Sequence, residues 1–160
     1  MAIVANPSFA FSFFLRFSSI NWFGRPMMKF FKTLIGRKRG LMISEKMPIG
    51  YGFYLAHAFG VIINPSAIIG NNVTISQFTT IGSMKNTAAI IGNDVYIGPA
   101  VCVVENQVVG ERSVIGAGAV VVKDIPGNVT AAGVPAVVIS NNNSRRLICN
   151  RFPYENYICN

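Results

Sequence analysis

The chain has 160 residues, of which 51% are hydrophobic and only 12% are charged, with a formal net charge of +8. This length fits one domain, and so little charge is unusual for a soluble monomer, so we expect an oligomer. No run reaches the roughly 18 apolar residues that a membrane-spanning helix needs, and no secretory signal is recognised, so we expect a cytoplasmic protein. Nucleic acid is not an expected partner, because the basic residues crowd the N-terminal segment and no nucleic-acid-binding signature is present.

Residues 1 to 40 form an aromatic and basic segment that we interpret as a partly helical cap. The stretch from Pro26 to Gly36 is predicted to be an amphipathic helix, with Pro26 in its first turn and Gly36 at its end. The cap could cover the open end of the domain that follows, as the ends of repeat folds require. It could also be a membrane-surface anchor, since basic and aromatic amphipathic segments favour anionic leaflets. We favour the cover, and the two roles are compatible.

Residues 41 to 139 carry an aliphatic residue at every sixth position, with two interruptions. An amphipathic helix repeats its apolar residues every three or four positions and a half-buried strand every second one, so a period of six fits neither as one element. It is typical of a β-solenoid, in which each short strand forms one flat face and directs an aliphatic side chain into a stacked core. The positions are Ile43, Ile49, Leu55, Ile63, Ile69, Ile75, Ile81, Ile91, Ile97, Val103, Val109, Ile115 and Val121.

Both interruptions of the repeat indicate loops that leave the solenoid surface. The spacing across Leu55–Ile63 is eight, so two extra residues bulge outward in a stretch that contains His57, the single histidine of the chain. The spacing across Ile81–Ile91 is ten, which extends a loop over Ser83–Ala89 on the same side of the prism or on the neighbouring one. Insertions in repeat folds often form binding surfaces, so we predict a site at these loops.

Residues 140 to 160 form a C-terminal tail that begins with a polar linker and ends in aromatic residues. We expect a mobile tail or a segment packed against a neighbouring subunit, and the sequence leaves both open. The chain has three cysteines without metal-ligand spacing, so we predict neither a disulfide framework nor a metal site. They are Cys102, Cys149 and Cys159.

Two stretches of the repeat region resemble the serine acetyltransferase branch of the hexapeptide-repeat acyltransferases. The first reads HAFGVIINPSAIIG over residues 57–70, followed by ISQFTTIG over residues 75–82. The second reads IGAGAVVVKDIP over residues 115–126, followed by AAGVPA over residues 131–136. Together the resemblance covers roughly residues 41 to 139.

The resemblance implies an all-β fold, a left-handed parallel β-helix with a short helical N-terminal segment, assembled as a homotrimer. Acetyl-CoA would be the co-substrate, bound in a cleft between neighbouring prisms, and no metal would be needed. His57 matches the general base of the family, which takes the proton from an acceptor hydroxyl as that oxygen attacks the thioester carbonyl. Backbone N–H groups at the corners of the solenoid would hold the oxyanion.

The resemblance also assigns cofactor positions. The ridge along which the pantetheine arm would run close to the backbone matches Gly98, Pro99, Gly116 and Ala117. The end that would hold the adenine and the phosphates matches Lys123, Ala131 and Ala132. Taken one at a time, each glycine is better explained as a corner of the solenoid, which needs such residues regardless of any ligand.

Two departures from the family pattern bear on the acceptor. Serine acetyltransferases carry an aspartate directly before the histidine, where this chain has Ala56, and a second histidine in the protruding loop, which here is shorter and has none. We therefore favour a sugar hydroxyl of a surface polysaccharide or its precursor, as in capsule and lipopolysaccharide O-acetyltransferases, with serine as the alternative. A non-catalytic trimeric scaffold and a membrane-recruited adaptor are further alternatives, because the missing aspartate could mean that His57 has no catalytic role.

Overall fold

Short parallel strands stacked on three faces make up most of the fold. The structure is a computed structural model, and it describes residues 6–20, 23–84, 87–141, 143, 147–148 and 152–153. Two helices come first, α1 (Pro7–Ser19) and α2 (Arg25–Arg39). The strands that follow are β1 (Tyr54–Leu55), β2 (Ile62–Ile63), β3 (Ile68–Ile69), β4 (Thr74–Ile75), β5 (Thr80–Gly82), β6 (Ile90–Ile91), β7 (Tyr96–Ile97), β8 (Cys102–Val104), β9 (Val108–Val109), β10 (Val114–Ile115), β11 (Val120–Val121), β12 (Thr130–Ala132) and β13 (Val137–Ser140).

The strands form three sheets, one on each face of a prism. The first sheet has the order β1-β4-β7-β10-β12-β13, the second β11-β8-β5-β2 and the third β3-β6-β9. All pairs are parallel except β12 with β13, which is antiparallel and closes the end of the first sheet. The chain thus passes from the first sheet to the second and the third before it returns one coil higher. This β-solenoid with an N-terminal helical segment confirms the predicted fold class.

Strand register shows where the extra residues sit. Ile97 pairs with Ile115, which stands three whole repeats further along the chain. Leu55 pairs with Ile75, a separation of three repeats and two further positions. Ile81 pairs with Val103, a separation of three repeats and four further positions. The surplus of two and of four positions matches the two predicted insertions, so the core register is unchanged by either of them.

The predicted aliphatic positions lie in the core, and a second set of positions accompanies them. All but Ile49 are buried, and Ile49 is half-buried. The residue two positions before each of them is mostly small and is also buried, except for Phe53 and Gln107, which are half-buried. Where that residue is polar its hydroxyl is bonded: Thr79 Oγ1 donates to Gly98 O (3.2 Å) and Ser113 Oγ donates to Gly110 O (2.7 Å).

Helix α1 packs its apolar side on the first coil. Asn6 caps it, with Oδ1 accepting from the N–H groups of Ser8 (3.0 Å) and Phe9 (3.2 Å). Phe11 and Leu15 are buried in the same core cluster as the solenoid residues. Arg16 fixes the helix to a corner, because its guanidinium donates to Ile49 O (2.7 Å) and to Gly50 O. Burial lowers the pKa of Arg16, and Tyr51 opposes this shift only in part.

Helix α2 runs further than predicted. It ends at Arg39 and is capped by Gly40 in the left-handed conformation (φ 63°), so the predicted end at Gly36 was wrong. Gly36 lies inside the helix, where a Cβ atom would come within 3.0 Å of Leu41 O and 3.5 Å of the Phe11 ring. The glycine is therefore explained by close packing and not by a helix end.

Two lysines of α2 attach it to the start of the solenoid. Lys29 Nζ lies 2.8 Å from Glu45 Oε1, and Lys32 Nζ contacts Glu45 Oε2. Burial by itself would raise the pKa of Glu45, but the hydrogen bonds from Lys29 and Lys32 outweigh it and lower the pKa to about 2.

The described part of the C-terminal tail packs on its own subunit. Ile148 is buried, and Phe152 exchanges two hydrogen bonds with Asn72: Phe152 N–H donates to Asn72 Oδ1 (2.7 Å) and Asn72 Nδ2 donates to Phe152 O (3.0 Å). The Phe152 ring also stacks on Tyr51, with a centroid distance of 5.2 Å. The linker residues Asn142 and 144–146, the aromatic residues Tyr154 and Tyr157, and Cys149 and Cys159 lie outside the described residues. Within the part of the chain that the structure describes, no helix has the length and apolar composition needed to cross a membrane.

Candidate active site

One corner of the prism, between the first and second sheets, brings together most of the predicted site residues. The residues that directly follow β1, β4, β7 and β10 all sit at this corner, and each donates its N–H to a carbonyl of the next coil. The bonds are Ala56 N to Ile75 O (2.9 Å), Ser76 N to Ile97 O (3.0 Å), Gly98 N to Ile115 O (2.8 Å) and Gly116 N to Ala131 O (2.8 Å). This ladder stacks the corner residues in a line, which we call the site corner.

Four of the predicted cofactor residues are neighbours at the site corner. A Cβ atom on Gly98 would stand 2.9 Å from Ala117 N, and a Cβ atom on Gly116 would stand 2.9 Å from Ala132 Cβ. Gly118 N–H donates to Pro99 O (2.9 Å), which joins the two coils again one residue further on. The space that each missing Cβ atom would occupy is therefore taken up by the next coil.

The other predicted cofactor residues take different positions. Ala132 continues the site corner after Gly116, whereas the Ala131 side chain is fully buried and faces the core. Lys123 is exposed and follows β11, so it sits at the next corner, between the second and third sheets. The site corner and Lys123 are therefore separated by the width of the second sheet.

His57 follows Ala56 directly and lies at the first coil of the site corner. Its backbone has φ 54°, in the left-handed region, and its side chain is exposed. The same conformation recurs at seven other residues with side chains, so it is a regular feature of the turns in this solenoid and not of the insertion alone. The exposed side chain of His57 lies outside the core, in the coil where the sequence predicts the insertion.

The N-terminal helices form the wall of a cavity at His57. This cavity has a volume of about 400 Å³. Ala58 N–H donates to Ser8 Oγ (3.4 Å) at the start of α1, and Gly60 N–H donates to Arg39 O (2.8 Å) at the end of α2. Both bonds hold the bulge that carries His57. The cavity is lined by Asn6, Pro7, Ser8, Arg39, Tyr54, Ala56, His57 and Ala58.

The composition of this cavity determines what it can bind. Arg39 provides a positive charge in the wall, and it forms no ion pair among the described residues. A guanidinium suits a carboxylate or a phosphate, with which it can form two parallel hydrogen bonds. No hydrogen-bond partner of the His57 ring is found in the described part of the chain. The preceding residue, Ala56, has no polar side-chain group that could orient the imidazole.

The sequence did not indicate that the N-terminal segment forms the wall of the cavity at His57. The Asn6-Pro7 pair is an available signal, because Asn is a favoured N-cap and Pro a favoured first helical residue. It marks the start of α1, but it does not indicate which part of the solenoid the helix approaches.

The predicted loop lies at the corner next to the one that carries His57. It leaves the second sheet after β5, and Glu105 holds its base, since Glu105 Oε2 accepts from Ser83 Oγ (3.1 Å) and Glu105 Oε1 accepts from Met84 N (3.4 Å). Ala88 N–H donates to Ser66 Oγ (2.9 Å) at the other end of the loop. Residues 85 and 86 lie outside the described residues. Within one chain, therefore, the loop and His57 occupy different corners.

A metal site finds no support in the described residues. They contain no group of three or more histidine, cysteine, aspartate or glutamate side chains arranged to hold a metal ion. Cys102 is a free, half-buried cysteine on the second sheet.

Comparison with known proteins gives serine acetyltransferases among the relatives of this chain. Serine acetyltransferase of Escherichia coli K12 is 37% identical over 100 residues, which cover 60% of this chain and 37% of the relative. Serine acetyltransferase of Bacillus subtilis is 36% identical over 110 residues, which cover 66% of this chain and 51% of the relative. No protein-family model matches the sequence. The chain spans about half or less of the length of these curated relatives.

Solved structures give the same result. Soybean serine acetyltransferase in complex with serine superposes with a TM-score of 0.71 at 31% identity, covering 82% of this chain and 56% of that one. Serine acetyltransferase of Brucella abortus in complex with coenzyme A superposes with a TM-score of 0.72 at 29% identity, covering 86% of this chain and 57% of that one. In sequence and in structure, the chain is therefore similar to serine acetyltransferases over its repeat region.

Proposed function

We propose that this protein is an acetyl-CoA-dependent O-acetyltransferase in which His57 is the general base. The observation that carries the proposal is the line formed by His57, Gly98 and Gly116 on one corner of the solenoid. Successive coils are about 4.8 Å apart, so Gly98 lies roughly 10 Å and Gly116 roughly 14 Å from the coil of His57. An extended pantetheine arm lying on the glycines can therefore bring a thioester to the imidazole.

The reaction needs two proton transfers, from the acceptor hydroxyl to His57 and from His57 to the leaving thiolate, and one acyl transfer. The His57 imidazole removes the proton from the acceptor hydroxyl while that oxygen attacks the thioester carbonyl, and the C–S bond then breaks to release the thiol, which receives the proton. No covalent enzyme intermediate is involved, so the chain has to supply only a base, a position for each substrate and donors for the oxyanion.

The site corner restricts which backbone groups can hold that oxyanion. The N–H groups of Ala56, Gly98 and Gly116 are already bonded within the ladder, and Pro99 has no N–H group to offer. Ala117 N–H is on the coil of Gly116, roughly 14 Å from the coil of His57. It is therefore too far away to donate to an oxyanion formed beside the imidazole.

For the acceptor, the comparisons favour serine over a sugar. The relatives are serine acetyltransferases, and one of the similar structures is a complex with serine. Arg39 adds an argument from this chain, because its guanidinium in the cavity wall can pair with the carboxylate of an amino acid. We therefore propose an acceptor that carries both a hydroxyl and a carboxylate, with serine as the first candidate.

A sugar hydroxyl is the second candidate, as in capsule and lipopolysaccharide O-acetyltransferases. Two features favour it: Ala56 stands where an aspartate precedes the histidine in serine acetyltransferases, and the loop at residues 83–89 has no histidine. Without these groups the ammonium and carboxylate of free serine lose partners. Arg39 also suits an acidic sugar of a surface polysaccharide or its precursor.

Three further expectations remain proposals. We propose that the solenoid at residues 41–139 is the catalytic domain, with residues 1–40 as cap and 140–160 as tail. We also propose a homotrimer, in which the loop of one subunit approaches the site corner of its neighbour. The third proposal is a cytoplasmic location.

Isothermal titration with acetyl-CoA and with CoA, on the wild type and on His57→Ala, tests the proposal together with thiol release in the presence of L-serine or of acidic sugars. We expect both forms to bind CoA equally and only the wild type to release thiol. Binding by neither form would abandon the transferase and favour the scaffold or the membrane adaptor. Turnover by His57→Ala at the wild-type rate would reject His57 as the base.

A further inference from the structure

Helix α2 turns an apolar side away from the body of the protein. Its packed side carries Lys32, Ile35 and Gly36. The opposite side carries Met27, Phe30, Phe31 and Leu34, which are 53%, 63%, 38% and 42% exposed. These positions follow the spacing i, i+3, i+4, i+7, which places them on one stripe of a helix. A surface helix of a soluble domain normally has its polar side there, so this arrangement is inverted.

Helix α1 continues the same apolar surface. Phe9 and Phe17 are 50% and 39% exposed, and Phe13 lies between them with its ring 6.3 Å and 4.4 Å from theirs. Ring contacts then cross to α2 through Phe13 with Phe14 (5.5 Å) and Phe14 with Phe31 (5.3 Å). We call this surface the aromatic face; it consists of Phe9, Phe13, Phe17, Met27, Phe30, Phe31 and Leu34. Contiguous apolar surface of this kind is uncommon on a monomer without a partner.

The charge around the aromatic face is mainly positive, with Glu45 paired to Lys29 and Lys32 of α2. Residues 1 to 44 contain seven of the 14 lysine and arginine residues and none of the six aspartate and glutamate residues. Lys38 lies on the stripe of Leu34 and lines an apolar cleft with Phe14 and Phe31. Arg37 and Lys38 are both exposed, and they form no ion pair among the described residues.

The positive charge around the aromatic face indicates which partner binds there. Two copies that met through the aromatic face would bring together two positively charged surfaces, because Glu45 pairs with Lys29 and Lys32 while Arg37 and Lys38 form no ion pair among the described residues, which is unfavourable. An anionic bilayer surface takes up both features, because aromatic side chains enter the headgroup region while lysine and arginine contact lipid phosphates. We propose that the aromatic face docks on the surface of an anionic lipid bilayer, with α1 and α2 lying in the plane of the interface. This role is independent of the acyl-transfer reaction.

Vesicle co-sedimentation tests this proposal with the full chain. The probes are vesicles of phosphatidylcholine alone and vesicles with about one third phosphatidylglycerol. We expect binding to the anionic vesicles, weakened at least tenfold by Phe30→Ser combined with Leu34→Ser. Charge reversal by Lys38→Glu should weaken binding by about fivefold or more, since one basic residue near an anionic membrane surface contributes about fivefold to the affinity. Raising the salt from about 0.1 M to about 0.5 M should weaken it further.

Ile139→Ser is the matched control, because Ile139 on β13 is 63% exposed, as is Phe30, but lies outside the aromatic face. It should bind vesicles like the wild type, and circular dichroism should show the same fold for every variant. Absence of vesicle binding by the wild type would overturn the proposal, as would equal binding by the Phe30 and Leu34 variant. Sedimentation of the protein without vesicles gives a further test. If it shows an oligomer that dissociates only when Phe30→Ser and Leu34→Ser are combined, the aromatic face is an interface between copies and the lipid proposal is wrong.

Discussion

Gly98 and Ala117 lie on adjacent coils at such a short distance that a Cβ atom on Gly98 would stand 2.9 Å from the backbone nitrogen of Ala117. The same atom would lie 2.9 Å from Ile115 O, so it meets backbone on two sides. Backbone atoms held in a ladder cannot rotate away as the end of a side chain can. The glycine is required by the fold at this point, whatever the ligand.

We expect Gly98→Ala to lower the free energy of unfolding by about 1–3 kcal/mol, the usual range for an overpacked core. Gly82→Ala is the matched control, because a Cβ atom there meets only Thr80 Cγ2, at 3.8 Å. Urea denaturation of both variants measures the difference. Equal stability of the two variants would contradict the close approach.

His57→Ala should reduce the rate of acetyl transfer by about 100-fold to 10,000-fold, the usual contribution of a general base. Because the imidazole is exposed and has no bonding partner among the described residues, the substitution should leave the melting temperature unchanged. Thiol-release assays and differential scanning calorimetry measure the two quantities. A large loss of stability would indicate a structural role.

Arg39→Met should raise the KM for an acceptor with a carboxylate by about tenfold or more, with a smaller effect on kcat, because it removes the guanidinium from the cavity wall but keeps most of the side-chain volume. The measurement is the KM for L-serine and for a neutral sugar acceptor. An unchanged KM for serine would show that the carboxylate binds elsewhere.

Glu45→Gln should destabilise the protein near neutral pH and have little effect near pH 2. The pKa of Glu45 is lowered to about 2 in the folded chain, so its stabilising effect is complete above the ordinary value and is lost as the pH falls towards 2. The difference in free energy of unfolding between the wild type and Glu45→Gln should therefore shrink below about pH 4.5. Glu111→Gln is the control, since Glu111 pairs with Arg112 at the surface and should matter little at any pH.

Arg16→Met should loosen the helical segment from the solenoid. The guanidinium holds Ile49 O and Gly50 O, and its loss leaves these carbonyls without a donor at a cost of about 1–3 kcal/mol. Hydrogen exchange should accelerate in α1 and not in the coils from β7 onward. Faster exchange throughout the chain would mean that the helices and the solenoid unfold as one unit.

The repeat positions could be predicted because the solenoid core depends on a periodic local pattern. Ile97, Ile115 and Val121 are buried as predicted, and both insertions appear in the register. Gly36 was misassigned because a glycine that allows close packing and a glycine that ends a helix look alike in a sequence. Only contact with Phe11, which belongs to the other helix, distinguishes the two.

The site residues were harder to predict, because only some of their positions follow from the local repeat. The positions of Gly98 and Gly116 at one corner follow from the repeat, since three whole repeats separate them. The approach of Ser8 and Arg39 to His57 does not follow from any local pattern, because it depends on how two helices fold back on the first coil. Lys123 belongs to the same family motif as Gly116, yet the spacing of the repeat carries it around the prism to another face.

The lengthened coil that contains the loop pairs with its neighbours as well as the coils of regular length do. The four extra positions between Ile81 and Ile91 therefore leave the strand register of the core unchanged, because the strands on either side pair as in the regular coils. We therefore expect that a longer segment at this corner would leave the stacking of the coils intact.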